Sequence, residues 1–251
     1  MIILNKLKYS VALLLVFIQF SCDSSTLQSN KDEHCSQTVS DEFMPLSLGS
    51  YWTYDYKKID GENVSYQEIR KYYINDTMTY SLDNKQYHVS AMSILTSSLD
   101  FMDMDYIRLY YIGLDGIYKA GFMFDTNLVL ITPELWYKFP VNVGDSWWVR
   151  NLSIVSTQDS LIILSTIKYT CVATDELFVT PLDKFETIVY GRSSKIAPDV
   201  SSCWHYFDYF SPGIGLVGYD IYSTIDSTLA YEERLNLDDR WILRLTDYCI
   251  K

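Results

Sequence analysis

Gly213-Ile214-Gly215-Leu216-Val217-Gly218-Tyr219-Asp220-Ile221-Tyr222-Ser223-Thr224 is the stretch on which the fold turns. Its first six residues spell G-x-G-x-x-G, the fingerprint of a dinucleotide-binding turn. A working copy follows a strand and opens a helix, whose N-terminus holds the pyrophosphate. Here the next residues have a period of two: Tyr219, Ile221 and Ser223 alternate with Asp220, Tyr222 and Thr224. That is a half-buried strand, so the glycines read as a turn or bulge between strands.

The same period recurs outward along the chain. Ile167, Tyr169, Cys171 and Ala173 alternate with Lys168, Thr170, Val172 and Thr174, and Ile107, Leu109 and Tyr111 alternate with Tyr106, Arg108 and Tyr110. Tyr, Thr, Ile and Val suit the pleated surface, and the chain carries 22 Tyr, whose rings bury area while the hydroxyls stay wet. Turn signals fall between the runs at Asp60-Gly61, Asp83-Asn84, Asp115-Gly116, Gly121, Asp183 and Pro198-Asp199. Helical patterns are scarce. Thr132–Tyr137 reads as a short helical turn, capped by Thr132 with Pro133 in first position, and Leu235–Leu245 as a strand pair or a short helix. The expected fold is all-β or a β-rich α+β: an antiparallel meander forming an open or partly closed barrel, or a sandwich.

One motif appears twice. Pro45-Leu46-Ser47-Leu48-Gly49-Ser50-Tyr51-Trp52 and Pro140-Val141-Asn142-Val143-Gly144-Asp145-Ser146-Trp147 both read P-x-x-x-G-x-x-W and both lead into an aromatic strand. Pro stiffens the approach, Gly makes a turn with positive φ, and Trp starts a strand over the core. Two copies fall short of a solenoid. They are the expected starts of two half-sheets in one domain.

Residues 1–21 read as a secretory signal. Lys6 and Lys8 are followed by the apolar run Val11–Ile18, too short for a membrane span of about 20 residues. Ser21 directly before Cys22 resembles the lipobox of bacterial lipoproteins, although Gln19 replaces the usual Leu. The resemblance implies cleavage before Cys22 and acylation of its thiol. Residues 22–42 are polar and read as a flexible tether, and 43–251 as one β-rich domain.

Phe43–Tyr54, Phe139–Trp147, Lys184–Ile188 and Tyr209–Val217 together are similar to a broad group of secreted bacterial lipoproteins, frequent in Bacteroidetes, without an assigned function. The resemblance implies a β-rich fold, with the half-open barrel of periplasmic lipoprotein carriers as one form. It is silent on chemistry. Lys184 stands where the group has Gly.

Composition excludes several functions. The 251 residues hold 32 Asp and Glu against 20 Lys and Arg, a formal charge of −12 that speaks against nucleic acid as a partner. Loss of residues 1–21 removes Lys6 and Lys8 but no acid, taking the charge to −14. The membrane contact is then expected through the N-terminal lipid, in the cell envelope, at the outer membrane. Three His and five Cys exclude rich zinc or haem sites, and no cofactor is implied. Cys203 and His205 share a strand face, but two ligands do not make a zinc site. Asp100, Asp103 and Asp105 read as a solvated loop rather than a calcium site. Beyond Cys22, the cysteines Cys35, Cys171, Cys203 and Cys249 permit two bridges in three pairings. The pairing expected is Cys171–Cys203 with Cys35–Cys249, free buried thiols being the alternative.

Neither a G-x-S-x-G elbow nor an H-E-x-x-H helix is present. The feature with functional flavour is aromatic: Trp147-Trp148, Trp204, Tyr206, Phe207, Tyr209 and Phe210 put rings on both faces of their strands. Either both faces are covered, or some rings line a groove; Trp148, Trp204, Tyr206 and Tyr209 are the candidate binding surface. The reading favoured is non-catalytic binding of an apolar or glycan ligand or a protein partner. The alternatives are a hydrolase assembled from distant carboxylates and His205, and a structural envelope component.

Overall fold

Residues 42–97, 107–124, 127–155, 160–195, 203–224 and 239–251 are described by the computed structural model. Alternating sequences become strands throughout. They are β1 (Tyr51–Asp60), β2 (Asn63–Leu82), β3 (Lys85–Thr96), β4 (Ile107–Gly113), β5 (Gly116–Phe124) and β6 (Asn127–Lys138), then β7 (Ser146–Val155), β8 (Ser160–Val179), β9 (Lys184–Lys195), β10 (Cys203–Ser211), β11 (Gly215–Thr224) and β12 (Asp239–Cys249). They form one antiparallel sheet in the order β6-β5-β4-β3-β2-β1-β12-β11-β10-β9-β8-β7, a nearly closed barrel rather than a sandwich. Across the β6–β7 seam, Glu134 accepts from the Arg150 backbone N–H at 3.0 Å and pairs with its guanidinium.

The repeated motif marks a structural duplication. In both copies the residue after Gly donates to the residue three before it: Ser50 to Ser47 and Asp145 to Asn142, each at 3.0 Å. Gly49 and Gly144 have φ of 87° and 90°, which only glycine adopts freely. Gly49 donates to Ile74 of β2 as Gly144 donates to Cys171 of β8, at 2.9 and 2.8 Å. Trp52 then faces Tyr72, and Trp147 faces Tyr169. Both halves are six-stranded meanders whose second strand is the longest, and the register shifts between Leu109 and Tyr110 in β4 and between Tyr209 and Phe210 in β10.

Two of the expected local structures differ. Thr132–Tyr137 is strand, part of β6. Pro133 is accommodated because β6 is an edge strand and bulges there: Lys119 pairs with Glu134 but Gly121 with Leu130. Gly121 lies inside β5, not at a turn. The Gly213–Gly218 segment is the β10–β11 hairpin, with φ of 80° at Gly213 and 99° at Gly215, and no helix follows. Residues 239–245 are strand; Pro198-Asp199 and 235–238 lie outside the described residues.

Both faces of β10 are packed. Tyr206, Asp208 and Phe210 face the interior, where Phe210 lies 4.3 Å from Tyr137 and 5.5 Å from Phe43. On the other face His205, Phe207 and Tyr209 are buried, with Tyr209 stacked on Phe178 at 3.8 Å. Of the two arrangements open to the aromatic strands, covered faces are the one found for this strand.

Candidate functional site

In an antiparallel meander alternate connections fall at the same end. One end of this barrel has the short connections 83–84, 114–115, 180–183 and 212–214, together with 139–145. It is filled by aromatics. Phe43 stacks on Phe139 at 4.3 Å and on Phe210 at 5.5 Å, and Trp52 donates from Nε1 to the Ile214 carbonyl at 2.7 Å.

The other end, where the connections are 61–62, 97–106, 125–126, 156–159, 196–202 and 225–238, has a different lining. Register places Tyr169, Arg192, Tyr206, Ile221, Trp241, Lys58 and Tyr66 in one row across neighbouring strands. Tyr206, Ile221, Trp241, Lys58 and Tyr66 are half-buried. The next row inward carries Tyr190, Asp208, Tyr219, Leu243, Tyr56 and Glu68. This end is the barrel's mouth, and it combines charge with flat rings.

Two charge clusters sit there. In the first, Arg70 pairs with Glu68 at 2.6 Å, lies 3.5 Å from the centre of the Tyr56 ring, and donates to the Tyr219 hydroxyl at 3.3 Å. Tyr66 completes it by donating to Glu68 at 2.9 Å. In the second, Asp208 accepts from the Tyr137 hydroxyl at 3.0 Å, while the Arg192 guanidinium stands 3.9 Å away and stacks 3.6 Å over Tyr206. Burial raises the Asp208 carboxyl above the usual range, and Arg192, the Tyr137 hydrogen bond and Arg108 pull it back down. Tyr137 is held neutral far into alkali, chiefly by burial and then by Asp208. Arg192 is held fully protonated: burial opposes its charge, and Tyr169 and Asp208 outweigh that.

Of the residues expected to form a binding surface, Trp148, Tyr206 and Tyr209 lie apart. Trp148 is 67% exposed on β7, by the seam. Tyr206 stacks on Arg192 at the mouth, whereas Tyr209 is core on the opposite face of the sheet. Trp204 is on β10, its side chain outside the described residues, as are Cys22, Cys35, Asp100, Asp103 and Asp105. His205 is fully buried beside Phe207 on the outer face, away from the Asp208 cluster. His88 is exposed, with Nδ1 2.7 Å from the Thr79 hydroxyl.

The expected Cys171–Cys203 bridge is not formed. Cys171 is a free thiol with no exposure, because its side chain turns into the core opposite Tyr190; burial raises its pKa. Cys249 is disulfide-bonded. Among the described residues no group of three or more His, Cys, Asp or Glu is placed to hold a metal ion, and no helix is long and apolar enough to cross a membrane.

Sequence reading missed Arg192, Arg108, Tyr137, Glu68 and Arg70. A signal was present: Asp208 interrupts Tyr206-Phe207-Asp208-Tyr209-Phe210 and Arg192 follows Ile188-Val189-Tyr190-Gly191. A charge inside an apolar strand has to be paired or put to use.

No protein-family model and no curated protein matches the chain. Two solved structures are similar in chain path. One is described as a "putative lipoprotein" from Parabacteroides distasonis, 14% identical with a TM-score of 0.43, covering 83% of this chain and 100% of that one. The second is described as a "putative exported protein with YmcC-like fold" from Bacteroides fragilis, 12% identical with a TM-score of 0.41, covering 83% of this chain and 99% of that one. Neither likeness reaches the level at which function transfers.

Proposed function

We propose that this is a lipid-anchored protein of the bacterial cell envelope that binds a ligand, without catalysis, at the mouth of its barrel. The observation that carries the binding reading is the difference between the two ends. One is sealed by stacked rings; the other keeps Arg192, Tyr66 and Tyr206 half-buried and Arg70, Glu68 and Asp208 buried, at the cost of desolvating charge. A mouth of this kind, apolar rings with a few placed polar groups, is the usual make-up of a small-ligand site. The hydrolase alternative loses its named histidine, since His205 is buried on the far face of the sheet.

The location rests on the Lys6, Lys8 and Val11–Ile18 signal, on Ser21-Cys22, and on the disulfide at Cys249, because such bonds persist in oxidising compartments. The outer membrane is the membrane proposed. We assign Cys35 as the partner of Cys249. Cys171 is free, and Cys203 pairs in register with Thr224, beyond the Tyr222–Arg240 pair, at the opposite end of the sheet from Cys249. Nine residues of β12 separate those levels at about 3.3 Å each, far beyond the reach of a disulfide.

Labelling with palmitate tests the anchor: label should be lost, and the protein released from membranes, in Cys22→Ala, and unchanged labelling refutes it. Non-reduced peptide mapping should link Cys35 to Cys249. Binding is tested by titrating the mature protein with decyl maltoside and following its tryptophan fluorescence. Saturable change supports a ligand-binding mouth, and its absence with neutral, anionic and cationic ten-carbon amphiphiles alike removes it.

A further inference from the structure

Arg192 is a cation to which the fold supplies little hydrogen bonding. Its side chain is 19% exposed, yet Nε is shielded from solvent and makes no hydrogen bond among the described residues. Asp208 is its counterion, but at 3.9 Å the contact is an ion pair without a hydrogen bond. The carboxylate is already engaged: Oδ2 accepts from Tyr137 at 3.0 Å, and Arg108 attracts the same group. A guanidinium has five N–H donors in a fixed plane. Leaving Nε unmet in a shielded place is costly, and native proteins rarely do it without a water, an ion or a ligand to accept.

The plane of this guanidinium is set by stacking. Tyr206 lies 3.6 Å from its carbon on one side, and Tyr169 is 5.6 Å away. Stacking covers the face of the group and leaves its edge, which matches the two oxygens of a carboxylate or phosphate side-on. Along the same row Ile221 and Trp241 are half-buried on the next two strands, with Trp241 stacked on Tyr56 at 5.2 Å. The row therefore runs from a cation with an unmet donor to an apolar shelf.

Building on the proposed binding function, we propose that Arg192 is the head-group site for an anionic amphiphile, whose carboxylate or phosphate ester is gripped by the guanidinium and whose apolar body lies along Ile221 and Trp241. The formal charge of the whole chain is −12, so a general attraction for anions would not produce such binding; it has to come from this local site.

Four ten-carbon probes separate the alternatives, each used below its micelle concentration with the folded mature protein: decanoate, decyl phosphate, decyl maltoside and decyltrimethylammonium. Calorimetry should show the two anions bound about tenfold or more tighter than the maltoside, the margin of one charged hydrogen-bonded contact, and the cation weakest. Whichever anion is tighter identifies the source of the head group. Arg192→Gln should abolish the preference for anions while maltoside binding persists, and Arg192→Lys, which keeps the charge but not the planar fork, should retain part of it. Asp208→Asn should tighten the anions by removing a competing negative charge, a result that a purely structural Arg192–Asp208 pair would not give. Circular dichroism identifies variants that fail to fold, and Arg192→Lys and Asp208→Asn serve if Arg192→Gln is one of them. Equal binding of decanoate and decyl maltoside overturns the head-group assignment while leaving the binding function intact. No binding of any probe removes both. An anion preference unchanged in the Arg192 variants, as when water alone meets those donors, overturns the assignment as well.

Discussion

Arg108 and Asp208 hold the same register position in the two halves of the barrel, and they carry opposite charges. Arg108 pairs across β3–β4 with Met92, which itself faces Ile74; Asp208 pairs across β9–β10 with Tyr190, which faces Cys171. Ile74 and Cys171 are the residues that accept the two glycine turns. The halves thus present complementary groups to the interior, where Arg108 draws down the carboxyl that burial pushes up.

That push has a direction for stability. The folded-state pKa of Asp208 lies above the unfolded value, so its contribution is fully present below about pH 3.9 and is lost as pH rises through the raised native value. Urea unfolding of wild type and Asp208→Asn at pH 3.5 and pH 7 should show the wild type losing ground to the variant at the higher pH. A gap that does not move with pH would mean that the guanidinia cancel burial completely.

Gly121 and Gly218 are a second equivalent pair, opposite Leu109 and Tyr209 at the shared bulge. A Cβ on Gly218 would lie 2.5 Å from the Leu243 carbonyl oxygen and 2.6 Å from the Phe178 ring; on Gly121 it would strike the Val129 carbonyl. Each Gly→Ala change is expected to cost about 1–3 kcal/mol, as overpacking does, read from chemical denaturation. A neutral result at both sites would show that the bulged strands can yield.

Trp52 and Trp147 are equivalent by sequence and register but not by bonding. Trp52 is fully buried and donates to the Ile214 carbonyl at 2.7 Å; Trp147 Nε1 is buried without a partner among the described residues. Trp52→Phe strands a carbonyl and leaves a gap, for about 2–3 kcal/mol, whereas Trp147→Phe removes a donor that was already unmet and should cost less. Equal losses in the two variants would contradict the bonding difference.

Tyrosine ionisation gives a spectroscopic check. Burial, with Tyr87 and Tyr111 nearby, pushes Tyr80 up to about 12, and burial also raises Tyr54, Tyr137 and Tyr169. Raised pKa values mean stability that is intact below about pH 10 and is lost as pH climbs through the native values. Absorbance at 295 nm should therefore trail the curve of the guanidinium-unfolded chain and catch up as the protein unfolds. Superposed curves would show the hydroxyls to be solvent-accessible.

The strands were legible where alternation survives, as over 107–111, 167–174 and 219–224, and the duplication because Pro, Gly and Trp are fixed at the same three places in both copies. Pro133 misled, since its helical-start signature is indistinguishable in sequence from a proline tolerated on a bulged edge strand. Gly121 read as a turn because a close approach of the Val129 carbonyl leaves the same mark as a positive φ. The mouth was illegible for a different reason. Tyr137 and Asp208 are 71 residues apart, and nothing local tells which strand faces which across an interior. Cys171 looked ready for a bridge to Cys203 because both lie in strands; only the register shows Cys171 opposite Tyr190 and turned inward.

The described chain begins and ends on one side of the barrel. Phe43 is wedged between Phe139 and Phe210, and the Lys251 backbone N–H donates to Ser50 Oγ at 3.1 Å, both on the ring-sealed side. Trimming either terminus of the described residues would therefore strip contacts from the ring-sealed side first and leave the Arg192–Tyr206 stack, which touches neither, in place.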